Sequence, residues 1–145
     1  MAIASDSLPK LNRDEAIALL SIHAFTSDHP DDPRLERSLV GSLRPFTQLY
    51  PESFHELMAC IKCLGPDLGS DRISRDLVAQ IWSIWHSLFV YIQDHAGELR
   101  GGIVSDQDVK TVDIWVGCMS SAVMMYLDGG STDSAFEWYN ECFDT

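Results

Sequence analysis

The fold is decided by the stretch from Ser105 to Leu127, SDQDVKTVDIWVGCMSSAVMMYL. Apolar residues recur in it at spacings of three and four, the period of one face of an α-helix; they are Val109, Val112, Trp115, Val116, Met119, Ala122, Val123 and Tyr126. Ser105 and Asp108 form the sequence pattern of a capping box at the helix start. Asp128-Gly129-Gly130 provides a stop, because glycine readily takes the left-handed conformation that ends many helices. The stretch therefore predicts one long central helix.

A second apolar stripe runs along another face of the same helix and consists of Ile114, Cys118 and Met125. A helix that is apolar on nearly all sides is either buried in a bundle or covers a subunit interface. The stripe is therefore a candidate interface for a homo-dimer. The apolar run between Asp113 and Asp128 is 14 residues long, whereas a membrane span needs about 20, so no membrane insertion is expected.

The rest of the chain predicts further helices and no strand. Apolar residues at helical spacing, with Pro and Gly between the runs, predict helices over about residues 12–25, 33–44, 51–64, 73–95 and 132–143. Residues 1–11 have no periodicity and are expected to be a loose N-terminal arm. We expect residues 12–145 to form a single all-α domain, a helical bundle of about six helices around an antiparallel pair of long helices, 73–95 and 105–127.

The net charge of −12 restricts the classes of partner. Proteins that bind nucleic acid or an anionic membrane directly need a basic surface, so neither partner is expected. The acidity is uneven, because residues 94–145 hold ten acidic and two basic side chains. This excess suits either plain solubility or attraction to a basic protein.

The start of the chain and its cysteines indicate the compartment. The first ten residues, MAIASDSLPK, lack the charged start and apolar core of a secretory signal. We therefore expect a cytoplasmic protein, in which thiols stay reduced. The four free thiols would be those of Cys60, Cys63, Cys118 and Cys142.

No catalytic, metal or cofactor motif stands out. Cys60-x-x-Cys63 lacks the second pair that a zinc site requires, and it lies in an apolar helical run, where small buried cysteines are the simpler interpretation. Glu52-x-x-His55 is one half of a di-iron helical-bundle pattern, and the chain has no second half. We therefore predict no catalytic residue, no metal site and no cofactor.

The predicted C-terminal helix, 132–143, offers the most distinctive surface. Asp133, Glu137 and Glu141 are spaced by four along one side, with Trp138 beside them. An exposed Trp rimmed by carboxylates is typical of a hot spot for a basic partner. Alternatively, Trp138 packs against a neighbouring helix and the acidic face is only solvated. These four residues are the candidate partner-binding residues.

The sequence favours a non-enzymatic, acidic protein-binding module, such as an inhibitor, immunity protein, antitoxin or adaptor, that presents a carboxylate-rich helical surface to a basic partner. Two alternatives stay open. The first is a homo-oligomeric structural or regulatory protein that associates through the second stripe of the central helix. The second is a small-ligand binder or an enzyme with a pocket between the long helices, near Trp82, Trp85, His86 and Trp115.

Overall fold

The computed structural model describes residues 3–43, 46–93 and 104–144. This part of the chain is all-α, with six α-helices and no β-strand. The helices are α1 (Arg13–His23), α2 (Pro51–Leu68), α3 (Arg75–Leu88), α4 (Asp106–Leu127), α5 (Thr132–Ala135) and α6 (Glu137–Phe143). Short 3₁₀ turns cover Ala4–Ser7 and Pro33–Arg37, and α3 widens into a π-helical turn at Phe89–Gln93.

The central helix α4 forms as its sequence predicts. The Ser105 hydroxyl accepts the backbone N–H of Asp108 at 3.0 Å, and the Asp108 carboxylate accepts the backbone N–H of Ser105 at 3.1 Å. Both bonds of the capping box are therefore present, and they satisfy two donors that a helix start otherwise leaves unpaired. After the helix, Gly129 has a φ of +80°, the left-handed conformation expected at this stop.

The core lies where α2 packs between α1 and α4. Its largest fully buried side chains on α2 are Phe54, Leu57, Met58, Ile61, Leu64 and Leu68. The ring of Phe54 stacks on Trp115 of α4, and Gly65 lies directly against the ring of Tyr126. Because α2 occupies the first apolar face of α4, another face of that helix is left for α3 and α6.

The α3–α4 pair is held at one end and open at the other. The side-chain amide of Gln93, just beyond α3, donates a hydrogen bond of 2.6 Å to Asp113 near the start of α4. Further along, the two helices enclose a groove. The antiparallel pairing of 73–95 with 105–127 stays a prediction, and the predicted connection between them lies largely in residues 94–103, outside the described residues.

The predicted helix over 33–44 is wrong, because within its described part, residues 33–43, only the 3₁₀ turn Pro33–Arg37 forms. The hydroxyls of Ser38 and Ser42 donate to the backbone carbonyls of Leu35 and Leu39, three residues earlier in each case. Side-chain bonds of this kind compete with the helical hydrogen bonds of the backbone. The N–H of Val40 donates instead to the carbonyl of His23 at 3.0 Å, so a tertiary contact fixes the segment.

The predicted end of the α2 run at residue 64 is too early, because α2 includes Pro66 and ends at Leu68. Proline removes one backbone donor, but it stands close to the end of the helix. The N–H of Gly69 still donates to the carbonyl of Gly65 at 3.0 Å. Burial of Leu68 favours the extra turn.

The N-terminal residues differ from the loose arm that the sequence predicts. Ser5 donates its backbone N–H to the Asn140 side chain at 2.8 Å and accepts a bond of 2.9 Å from Lys62. The N–H of Ala4 donates to the Asp144 carboxylate, and the side chain of Leu8 is buried. Residues 4–8 are held by these contacts with distant parts of the chain. The sequence of the segment has no periodicity that would indicate them.

Candidate functional site

An apolar groove of about 890 Å³ lies between α3 and the C-terminal half of α4. Ligand pockets in proteins commonly measure about 300–1,000 Å³, so the groove is large enough for a ligand or for the side chains of a docked segment. It is lined by Leu68 of α2, by Val78, Ile81, Trp82 and Trp85 of α3, and by Met119, Ser120, Val123, Met124, Met125, Leu127 and Asp128 at the end of α4.

The groove exists because α3 has a wider apolar stripe than its neighbours cover. Ile81, Ile84 and Leu88 are buried in the core, whereas Trp82 is 63% exposed. Across the groove, Met124 is 60% and Leu127 is 51% exposed. Single exposed apolar residues are ordinary, but a contiguous apolar patch marks an interaction site. These side chains form one such contiguous apolar surface.

The α3 wall of the groove begins an aromatic ladder, two of whose rings, Trp82 and Trp85, line the groove, while Phe89 lies outside the lining. The ring centroids of Trp82 and Trp85 are 5.0 Å apart with planes tilted by 34°. Trp85 in turn stacks on Phe89, at 5.8 Å and 4°. The facing wall contributes Met124 and Met125, whose flexible thioethers adapt to irregular apolar surfaces and contact aromatic rings favourably. The groove therefore combines an aromatic side with an adaptable methionine side.

Two polar side chains, Ser120 and Asp128, are present among the described lining residues. The Ser120 hydroxyl donates to the backbone carbonyl of Gly117 at 3.3 Å. No histidine, cysteine or lysine lines the groove among these residues. The arrangement is suited to bind an apolar group, with one carboxylate at the end of α4 to meet a positive charge.

The alternative that the sequence leaves open is a pocket near four residues, and the groove involves two of them. Trp82 and Trp85 line the groove. His86 is exposed and does not line it. Trp115 is buried against Phe54 and does not line the groove. Val78, Met124 and Leu127 were not predicted as site residues; their signal in the sequence is an apolar stripe that core packing also explains.

The predicted oligomer stripe does not form one surface. Ile114 is exposed, Met125 is half-buried at the groove, and Cys118 is 1% exposed. Cys118 is covered because α6 packs on that side of α4, which places Cys142 beside it. Burial, with Cys142 beside it, raises the pKa of the Cys118 thiol to about 12.

The predicted acidic helix is interrupted at Phe136, which is fully buried and separates α5 from α6. Asp133 lies on α5, whereas Glu137 and Glu141 lie on α6, so their spacing of four is not a single helical line. All three carboxylates are exposed. Trp138 is 47% exposed, and its ring edge covers Gly117, where an added Cβ would lie 2.8 Å away. Trp138 is thus packed on α4 and still half accessible.

The remaining motifs have structural roles. Cys60 is fully buried, and this burial raises its pKa to about 12. The thiol of Cys63 donates to the Leu11 carbonyl at 3.2 Å. Glu52 forms an exposed ion pair with Arg37, while His55 shares a hydrogen bond of 2.7 Å with the Tyr139 hydroxyl and has its pKa lowered by burial.

Metal and membrane features are also absent from the described ranges. Residues 3–43, 46–93 and 104–144 hold no group of three or more His, Cys, Asp or Glu side chains that could bind a metal ion. Within the same ranges, no helix is both long enough and apolar enough to cross a membrane.

Comparison of the chain with protein families, with curated proteins and with solved structures found no match.

Proposed function

We propose that the protein is a non-enzymatic binding module that holds an apolar segment of a protein partner in the groove between α3 and α4. The observation that carries this proposal is the exposure of Trp82, Met124 and Leu127 around one concave surface. Burying side chains of this size contributes about 1.5–3 kcal/mol each. Tryptophan and methionine are also enriched at the centres of protein interfaces.

The occupant that fits best is an amphipathic helix. A groove between two helices accepts the apolar face of a third one, which inserts side chains spaced by three and four residues. The aromatic ladder follows α3 with the same spacing, from Trp82 through Trp85 to Phe89. Helix packing of this kind uses side chains that interdigitate along the axis.

Charge favours a basic partner over a second copy of the chain. Two copies would each bring a net charge of −12 to the interface, and like charges disfavour association. A basic helix instead meets Asp128 at the end of the groove. The exposed carboxylates of Asp133, Glu137 and Glu141 add to the field that attracts it and raise the association rate. We propose the cytoplasm as the location, where the thiols stay reduced.

The test is selection of ligands from a displayed library of amphipathic helical peptides that vary in charge. We expect basic peptides to be enriched, and Trp82→Glu and Met124→Glu to weaken their binding at least tenfold, because each introduces a charge into the apolar contact. Ile17→Glu is the matched control, since Ile17 is an exposed apolar residue on α1, away from the groove. The affinity of Ile17→Glu for the selected peptides should equal that of the wild type.

Three outcomes would contradict the proposal. One is that no peptide is enriched, and another is that the selected peptides bind the two groove variants as well as they bind the wild type. The third concerns the oligomeric state, which sedimentation equilibrium measures. A dimer that Trp82→Glu dissociates would assign the groove to a second copy.

The acidic surface has its own test within the same assay. The double change Glu137→Lys and Glu141→Lys should slow peptide association, with a smaller effect at high salt, because exposed charges act mainly on the encounter rate and are screened by ions. An unchanged association rate would show that α5 and α6 are not part of the binding surface. The dissociation rate, set by the groove, should change little.

A further inference from the structure

Two of the four cysteines meet across the α4–α6 contact. The thiols of Cys118, in the middle of α4, and Cys142, in the last turn of α6, lie beside each other. Gly117, next to Cys118, and Trp138, one helical turn before Cys142, also contribute to the contact between α4 and α6, because the ring of Trp138 lies against Gly117. The two sulfurs are therefore held together by the packing of α6 on α4.

The two thiols differ in access to solvent. Cys142 is exposed, whereas Cys118 is almost completely buried beneath α6. An oxidant in solution reaches the exposed sulfur first, and the buried sulfur is in position to react with the oxidised product. Redox-sensing cysteines commonly have this arrangement, an accessible thiol beside a second thiol that resolves it.

We propose that Cys118 and Cys142 form a reversible disulfide in the presence of a peroxide, and that this bond fastens α6 to α4. The peroxide oxygen is transferred to the Cys142 thiolate, which gives a sulfenic acid and hydroxide. The Cys118 sulfur then attacks the Cys142 sulfur and its thiol proton passes to the departing oxygen, so that an S–S bond forms, the S–O bond breaks and water leaves. In total, two thiols lose two protons and two electrons, and one peroxide becomes two waters.

The other cysteine pair is a poorer candidate, although Cys60 and Cys63 are closer in sequence. Cys60, on α2, is fully buried in the core. The thiol of Cys63 is half-buried and already donates to the carbonyl of Leu11. An oxidant therefore meets Cys142 before it meets either of these two thiols.

The consequence of the disulfide is a covalent lock on the C-terminal segment. The bond closes a loop over residues 118–142, which includes α5 and most of α6. In the reduced protein, α6 is seven residues long and is held by the packing of Phe136 and Tyr139 and by bonds from the N-terminal turn. The disulfide removes unfolded conformations that the open chain can adopt, which stabilises the native state.

The experiment treats the full chain with hydrogen peroxide, alkylates the remaining thiols and maps the disulfide by mass spectrometry. Trypsin leaves both cysteines in the fragment 111–145, since no Lys or Arg follows Lys110. We expect this fragment to escape alkylation and to be lighter by two hydrogen atoms. Cleavage after Glu137 and Glu141 should then give two pieces that separate only after reduction with dithiothreitol.

Thermal unfolding provides a second readout. The oxidised wild type should melt about 5–10 °C above the reduced protein, as expected for a loop of this length. Cys142→Ser, a change at an exposed position, should abolish both the cross-link and the shift. Cys63→Ser is the matched control and should retain both. Alkylation of both Cys118 and Cys142 after peroxide, a Cys60–Cys63 link, or conversion of Cys142 to the sulfinic acid would overturn the proposal.

Discussion

The indole ring of Trp115 lies flat on the ring of Phe54, with centroids 4.9 Å apart and planes within 1° of parallel. This stack joins the central helix α4 to α2 in the middle of the core, and both side chains are buried. A further aromatic contact, from Phe54 to Tyr139, extends it to α6. The stack is therefore the point at which three helices of the bundle are fixed to one another.

The first prediction compares two tryptophans by truncation. Trp115→Ala should lower the free energy of unfolding by about 3–5 kcal/mol, because it leaves a cavity in the core. Trp82→Ala should lower it by no more than about 1 kcal/mol, because Trp82 is exposed in the groove. Urea unfolding measures both. Equal losses for the two variants would contradict the assignment of Trp115 to the core and Trp82 to the binding surface.

The second prediction concerns strain just after α1. Phe25 is exposed and has a φ of +60°, the left-handed conformation that a side chain with a Cβ disfavours. It is held there by helix-ending bonds, from its own N–H to the Ile22 carbonyl at 3.0 Å and from the Thr26 N–H to the Ser21 carbonyl at 2.8 Å.

Phe25→Gly should therefore stabilise the protein by about 0.5–1 kcal/mol, the strain released less the added freedom of the unfolded chain. Phe25→Ala keeps the Cβ and should change stability by less than about 0.5 kcal/mol. Thermal and urea unfolding of the wild type, Phe25→Gly and Phe25→Ala measure these differences in stability. A destabilised Phe25→Gly variant would mean that the exposed ring contributes more than its backbone costs.

Local sequence signals predicted the elements whose hydrogen bonds are local. The capping box of Ser105 and Asp108 and the glycine stop at Gly129 both lie within a few residues of the helix ends that they set. The prediction of a helix over 33–44 was wrong for the opposite reason, because the hydrogen bonds that fix this segment are not local. Its backbone is bonded to α1 through Val40 and His23, which are 17 positions apart in the sequence.

The site was harder to predict than the fold, since an apolar stripe has the same appearance whether or not a neighbour covers it. Trp82 and Trp115 both lie on helical stripes, yet one is exposed and the other is buried. Cys118 was a candidate residue of an oligomer interface, because nothing local indicates whether another helix or a second subunit covers it. The contact with Cys142 joins residues on two different helices, and the packing of the whole bundle determines it.

The third prediction uses two helical glycines that touch aromatic rings. A Cβ at Gly65 would lie 2.4 Å from the buried ring of Tyr126, and one at Gly117 would lie 2.8 Å from the half-exposed ring of Trp138. Gly65→Ala should cost about 1–3 kcal/mol, because the core ring cannot move away. Gly117→Ala should stay within about 1 kcal/mol of the wild type, because the Trp138 ring can move outward and alanine favours the helix.

Tryptophan fluorescence separates the two glycine effects further. Gly117→Ala should shift the emission to longer wavelength as Trp138 becomes more solvated, whereas Trp138→Phe in the same background should remove that shift. If Gly117→Ala destabilises the protein as much as Gly65→Ala, then the Trp138 contact is as rigid as the core.

The fourth prediction concerns the buried histidine that joins α1 to α2. His23 is 2% exposed; its Nδ1 accepts the backbone N–H of Leu39 at 3.4 Å, which leaves Nε2–H to donate to the Glu56 carboxylate at 2.9 Å. Glu56→Ala removes this acceptor and leaves a buried donor unpaired. We expect a loss of about 1–3 kcal/mol at neutral pH.

The loss should depend on pH with a defined sign. The hydrogen bond from His23 holds the pKa of Glu56 below its ordinary value of 4.5, so the unfolded chain binds the proton more readily than the folded protein does. The stabilisation is fully present above pH 4.5 and is lost as the pH falls through the lower folded pKa. The difference in unfolding free energy between the wild type and Glu56→Ala should therefore narrow below pH 4.5.

Glu52→Ala is the matched control for this pH series, because it breaks the ion pair between Glu52 and Arg37, in which both side chains are exposed. Exposed pairs contribute at most about 1 kcal/mol, so this variant should stay close to the wild type throughout. Urea unfolding between neutral pH and pH 3 supplies the measurement. A Glu56→Ala deficit that is constant over this range would show that the carboxylate charge contributes nothing and that the side chain stabilises α2 by packing alone.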